Sequence, residues 1–137
     1  MLAFPPSMHL VGGDKGTVTA ASFSPSGAYL TYLNATPKQS AESLRDWPAF
    51  RVSHQRAENA AAVRLLAVRR GVRFIGGTGA CVIDAYVTKV RANHYTEIAC
   101  FVQGATSASV IVAAAPSANW SSASGLLARA VAAYQVR

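Results

Sequence analysis

Apolar and polar residues alternate over several short stretches of this chain, while two other stretches repeat their apolar positions every three or four residues. Thr17 to Phe23 and Ala28 to Leu33 read as strands, and Ser24-Pro25-Ser26-Gly27 between them is turn chemistry, so the pair predicts a hairpin. Gly12-Gly13-Asp14-Lys15-Gly16 is a turn ahead of it. From Pro37 to Ala62, Leu44, Trp47, Phe50, His54, Ala57 and Ala61 recur at helical spacing, with Ser40 as a plausible N-cap. Pro48 conflicts with one continuous helix, so a break is expected near Trp47, with Asp46 capping a new start. Val63 to Val68 either extends that helix or forms a short strand; its β-branched residues and the nearby Gly71 favour the strand.

Gly76-Gly77-Thr78-Gly79 is expected to be a loop. Three strands follow: Cys81 to Val90, Tyr95 to Gln103 and Ser109 to Ala115. The first two are joined by Arg91-Ala92-Asn93-His94, where Asn tolerates the left-handed conformation of a tight turn. Pro116 stops the third, and Ser121 or Ser122 caps a closing helix whose stripe is Leu127, Ala130, Val131 and Tyr134, with Arg137 suiting its C-terminal dipole. Hairpin-length links cannot join parallel neighbours, so the fold class is α+β, an antiparallel β-sheet flanked by helices, in a single domain over residues 1–137.

Alternation also orients the two cysteines. Cys81, Ile83, Ala85 and Val87 share one face, and Asp84, Tyr86 and Thr88 the other; in the next strand Thr96, Ile98, Cys100 and Val102 share the apolar face. Apolar faces align across that hairpin when Cys81 stands opposite Cys100 or one diagonal step away, close enough to bridge. The favoured reading is a disulfide formed in an oxidising compartment; the other is a pair of small buried thiols in a reducing one.

The chain has 137 residues, 51% hydrophobic and 14% charged, which excludes disordered and collagen-like classes. No apolar run reaches the roughly 18 residues of a membrane-spanning helix. Thirteen Lys and Arg against six Asp and Glu give a net charge of +7, and Arg51, Arg56, Arg64, Arg69, Arg70 and Arg73 fall in a stretch whose single acid is Glu58. Such a balance suits an anionic partner: an anionic polymer, a membrane surface or an acidic envelope protein. Arg is not interleaved with aromatic residues and no nucleic-acid motif appears, so no specific nucleic acid is predicted. The plainer reading is a solvated arginine-rich face.

Motifs for chemistry are sparse. His9, His54 and His94 lie far apart without metal-ligand spacing, no Gly-x-Ser-x-Gly elbow is present, and six acids leave few candidates for a carboxylate pair. Gly76 to Gly79 lacks the Lys-Ser/Thr and the following helix of a phosphate loop. Asn34-Ala35-Thr36 and Asn119-Trp120-Ser121 are glycosylation triplets of a kind common by chance. Trp47, Trp120, Tyr29, Tyr32, Tyr86 and Tyr95 either line a pocket or, the commoner use, pack the sheet against its helices. No catalytic residue, metal or cofactor is assigned on these grounds.

Phe4-Pro5-Pro6-Ser7-Met8-His9-Leu10-Val11 resembles the entry segment of the PsbP-like domains, and Phe23 to Gly27 their first hairpin turn. Gly76 to Tyr86 resembles the strand after their central helix, and Ala115-Pro116 to Trp120, with a last helix ending in Ala132-Ala133-Tyr134, the close of the domain. The same order is similar to that of small extracytoplasmic proteins of high-GC actinobacteria. The resemblance covers most of the chain through weak motifs. It implies an α/β/α sandwich and a mostly noncatalytic family that includes bacterial envelope lipoproteins, and it transfers no active site. The resulting expectation is a noncatalytic extracytoplasmic binding or accessory domain of a bacterial envelope. Met1 to Pro6 contains no export signal. A small hydrolase or ligand-modifying enzyme, and a nucleic-acid or anionic-polymer binder, are the alternatives.

Overall fold

The computed structural model describes residues 1–137. Seven strands form one antiparallel sheet: β1 (His9–Val11), β2 (Val18–Phe23), β3 (Tyr29–Pro37), β4 (Ala60–Phe74), β5 (Gly77–Thr88), β6 (His94–Gly104) and β7 (Ala108–Pro116). Their order is β1-β2-β3-β7-β6-β5-β4. Helix α1 (Trp47–Glu58) joins β3 to β4, and α2 (Trp120–Ala132) follows β7 through a short 3-10 turn. Successive side chains of a strand point to opposite faces. Ala80, Val82, Ala99 and Phe101 pack with Trp47 of α1, while Cys81, Cys100 and Val102 pack with Leu127 and Val131 of α2. The helices therefore lie on opposite faces, giving the α/β/α layering expected of an α+β chain.

Trp47 fixes α1. Its indole Nε1 donates to the Ala99 carbonyl at 2.9 Å, and its ring lies 6.0 Å from those of Phe50 and Phe101. Pro48 sits in the first turn, where its missing N–H costs nothing, so the expected break is real. The helix predicted before it is not. Residues 38–46 are irregular, Ser40 caps nothing, and the buried Glu42 carboxylate instead accepts the amides of Gln39 and Ser40 at 3.2 and 3.1 Å. Asp46 holds the N-cap position without a side-chain cap; its own amide donates to Ser43 Oγ at 3.1 Å.

Four other local expectations change. β4 is 15 residues long rather than six, because it is an edge strand whose three register shifts absorb its irregular pattern. Those bulges and its exposed arginines guard the edge against further pairing. Gly77 to Gly79 belong to β5, with only Gly76 at the turn (φ 85°). A Cβ on Gly76 would fall 2.2 Å from the Val136 carbonyl oxygen, so this glycine lets the C-terminal segment cross the sheet end. The β5–β6 turn places Arg91 and Ala92 at positive φ, with Asn93 held by its amide to Thr88 Oγ1 at 2.9 Å. Finally, Asn119 precedes α2 without a side-chain cap, Ser122 Oγ donates to the Asn119 carbonyl, and α2 ends at Ala132, so Arg137 lies beyond it. The stripe Leu127, Ala130, Val131 and Tyr134 is buried as expected.

Cys81 stands directly opposite Cys100 in the β5–β6 register, with Cα atoms 4.1 Å apart, and the two are disulfide-bonded. The bridge lies beneath α2 in the larger core. With a sequence separation of 19, removing it through Cys81→Ala with Cys100→Ala is expected to cost about 3 kcal/mol by chain-entropy reasoning. Urea unfolding checks this; a loss below about 1 kcal/mol would mean the sheet alone holds the pairing.

Candidate binding cleft

Each helix is too narrow for a seven-stranded sheet. Helix α1 packs on β4, β5 and β6, so on its face the half-sheet formed by β7, β3 and β2 stays open. There a cleft of about 390 Å³ runs between α1 and the open half-sheet. Tyr29, Tyr32 and Asn34 form one side, Arg51 and Gln55 of α1 the other, and Tyr86, Tyr95 and Glu97 the inner end. A polar hollow adjoins it, lined by Thr17, Thr19, Asn34, Thr36 and Gln39, with Asp14 of the β1–β2 turn as its one charged group. Asn34 Nδ2 donates to Thr19 Oγ1 at 2.8 Å and Thr36 Oγ1 donates to Asn34 Oδ1 at 2.9 Å, so this wall is a preset row of uncharged donors and acceptors. Asn34, the glycosylation triplet's acceptor, is thus part of a half-buried sheet network.

The inner end is a charge cluster. Glu97 has no exposed surface and is held by Arg51, whose Nη2 lies 2.7 Å from Oε2 and 3.0 Å from Oε1 while Nε reaches Oε1 at 3.2 Å. Gln55 Nε2 donates to the same carboxylate. Burial works against the Arg51 charge, but Glu97 outweighs it and holds the guanidinium protonated. Arg51 is thereby removed from the predicted anionic-partner surface: the buried Glu97 carboxylate of β6 draws it inward.

Asp84 is opposite Glu97 in the β5–β6 register, fully buried, and no donor reaches either of its oxygens. Burial first, and the Glu97 charge second, push its carboxyl up to about 8. Protonated, Asp84 carries its own donor, with Glu97 as the acceptor. The cluster then holds one positive and one negative charge and is neutral. Tyr32 and Tyr86 are raised above the ordinary phenol range, chiefly by burial, so their hydroxyls stay neutral as well. Tyr86 and Tyr95 pair with ring centroids 5.7 Å apart.

Four tyrosines read as core packing therefore line the cleft, whereas Trp47 is core and Trp120 packs partly buried against the α2 side. The carboxylate pair is not among the sequence-based expectations. The remaining arginines are dispersed. Arg56 lies on α1, and Arg70 donates to the Leu44 and Arg45 carbonyls at 3.1 and 3.0 Å. Arg64 and Arg69 stand opposite Ala85 and Cys81, on the α2 face, whereas Arg73 stands opposite Thr78, on the other face of β4. The histidines are separate: His9 on β1, His54 stacked on Phe50, His94 at the start of β6.

The fold is shared with solved structures. PA94 from Pseudomonas aeruginosa, a protein of unknown function, is similar with a TM-score of 0.67 at 10% identity, over 95% of this chain and 97% of that one. LpqN, involved in cell envelope biogenesis of Mycobacterium tuberculosis, is similar with a TM-score of 0.52 at 10% identity, over 96% of this chain and 79% of that one. No family model and no curated protein sequence matches the chain.

Proposed function

We propose that this chain is a noncatalytic, extracytoplasmic binding domain of a bacterial cell envelope, of the PsbP-like kind found in actinobacteria, and that its α1-side cleft takes a neutral, polyhydroxylated ligand such as a short glycan. The observation that carries the ligand reading is the cleft's chemistry: tyrosines beside Asn34, Thr19, Thr36 and Gln39, and a charge cluster that neutralises itself. Aromatic faces cover sugar C–H surfaces, and uncharged amides and hydroxyls exchange hydrogen bonds with sugar hydroxyls. A noncatalytic role is supported by the state of the carboxylates, since Glu97 is engaged by Arg51 and Gln55, and Asp84 has no exposed surface. The envelope assignment draws on the disulfide, which persists in oxidising compartments, and on the fold shared with LpqN.

Titration with maltotriose and chitotriose, followed by amide shifts, tests the cleft. Shifts at Tyr32, Asn34 and Tyr95 are expected, weakened about tenfold in Tyr32→Ala through lost ring contact. No shift with either sugar at millimolar concentration would end the glycan reading, and hydrolysis of either would replace it with the enzyme reading. For the compartment, protein isolated from its native cells is expected to weigh about two daltons less before reduction than after.

A further inference from the structure

The second uncovered half of the sheet has the opposite chemistry. Helix α2 packs on β7, β3 and β6, so on its face β5 and β4 run past it. A trough of about 310 Å³ lies between them, with Ile83, Ile98 and the disulfide-bonded Cys81 as its floor, Val72 on the β4 side and Ala128 and Ala132 of α2 opposite. Helix α2 contributes Ala128, Val131 and Ala132 to it. Apart from its two arginines, Arg69 and Arg73, every residue lining it is apolar.

Those arginines have no counter-charge. The chain has no acid between Glu58 and Asp84, and Asp84 points to the other face. The ion pairs of the structure are Arg45 with Asp46 and Arg51 with Glu97, leaving Arg64, Arg69 and Arg73 free. An exposed apolar trough costs hydration free energy, and the unpaired Arg69 guanidinium at its side favours an anion with fork geometry.

We propose that this trough binds a single aliphatic chain ending in an anionic head group, the chain lying over Ile83, Ile98 and Cys81 and the head meeting Arg69, which stands opposite Cys81. Charge complementarity selects the anionic end, and the recess between α2 and β4 suits one chain rather than a flat bilayer. This site lies on the face opposite the tyrosine cleft and does not depend on it.

The test is calorimetric and amide-shift titration of the full chain with dodecanoate and lauroyl-lysophosphatidylglycerol below their micellar concentrations, with dodecyl maltoside as the uncharged control. Saturable binding of either anionic amphiphile is expected, with shifts at Ala67, Ile83, Ile98 and Ala132. Ala128 is exposed, so Ala128→Trp fills the trough without burdening the core, and it is expected to weaken binding by about tenfold or more through overpacking. Arg69→Gln is expected to lower affinity for the anionic amphiphiles about fivefold while leaving dodecyl maltoside unchanged. Unaltered thermal unfolding of both variants shows that any loss is local. Absence of saturable binding, equal affinity for dodecyl maltoside, or full affinity in Ala128→Trp overturns the proposal. So does binding only to phosphatidylglycerol vesicles, which would assign the arginine-bearing edge to a membrane surface.

Discussion

Replacing Arg51 with methionine is expected to lower the unfolding free energy by about 3–5 kcal/mol, the usual cost of removing one member of a buried ion pair. Arg51 is the cation that neutralises Glu97, and Asp84 stands opposite that carboxylate. Without the guanidinium, Glu97 must either stay charged in an apolar enclosure or take up a proton, and Gln55 supplies a single amide toward it. The penalty should shrink as pH falls, because protonation removes the stranded charge. Adding Glu97→Gln to Arg51→Met should recover most of the loss, since the second change removes what the first left unpaired. Urea unfolding at pH 7 and pH 5 reads all three proteins. By contrast, Arg69→Met, at an exposed arginine without an acidic partner, should move stability by less than about 0.5 kcal/mol. An Arg51→Met cost equally small would show the pair to be solvated, and the cleft's neutral floor would no longer follow.

The sequence located the sheet and its bridge because both rest on period-two alternation. The β5–β6 register that places Cys81 opposite Cys100 also places Asp84 opposite Glu97 three residues further along, on the other face. The same alternation therefore carries that pair on the polar face of the hairpin. The tyrosines were ambiguous for a different reason. Whether Tyr32 and Tyr95 meet a helix or open space depends on which strands α1 covers, and strand order β3-β7-β6 is a long-range property that local pattern does not contain. Arg51 looked like its neighbours Arg56 and Arg64 until the helix was docked; its inward direction is set by Trp47, one turn earlier, anchoring α1 over Ala99. The helix expected before Trp47 failed because β3 runs on to Pro37 to pair with β7, a tertiary demand that overrides helical spacing.

The same docking explains why one sheet carries two unlike surfaces. Alternation gives every strand two faces, and the helices, shifted toward opposite edges, leave one half-face open on each side. On the α1 side the open residues come from β3 and β7, with Tyr32 and Asn34 prominent; on the α2 side they come from β4 and β5, where Ile83 and Val72 dominate. A ligand suited to one surface is chemically unsuited to the other.

Between pH 4 and pH 8 the native protein is expected to lose stability as pH rises, with Asp84 as the cause. Its carboxyl is pushed up to about 8 in the folded chain by burial and by Glu97, against an ordinary value of 3.8. In that interval the native state keeps a proton that the unfolded state has released, and a native state binding more protons is favoured by acid. The contribution is fully present below about pH 4 and is gone once pH passes about 8, with a slope no steeper than about 1.4 kcal/mol per pH unit. Asp84→Asn has nearly the shape of the protonated acid, offers Glu97 an amide donor and does not titrate. Wild type and Asp84→Asn should therefore be similar in stability at pH 4, then diverge until the variant is the more stable by several kcal/mol at pH 9. Taking the difference removes every contribution that the two proteins share. Parallel stability curves from pH 4 to pH 9 would show Asp84 to be ionised throughout. The cluster would then carry a net negative charge, and the cleft would suit a cationic ligand in place of a neutral one.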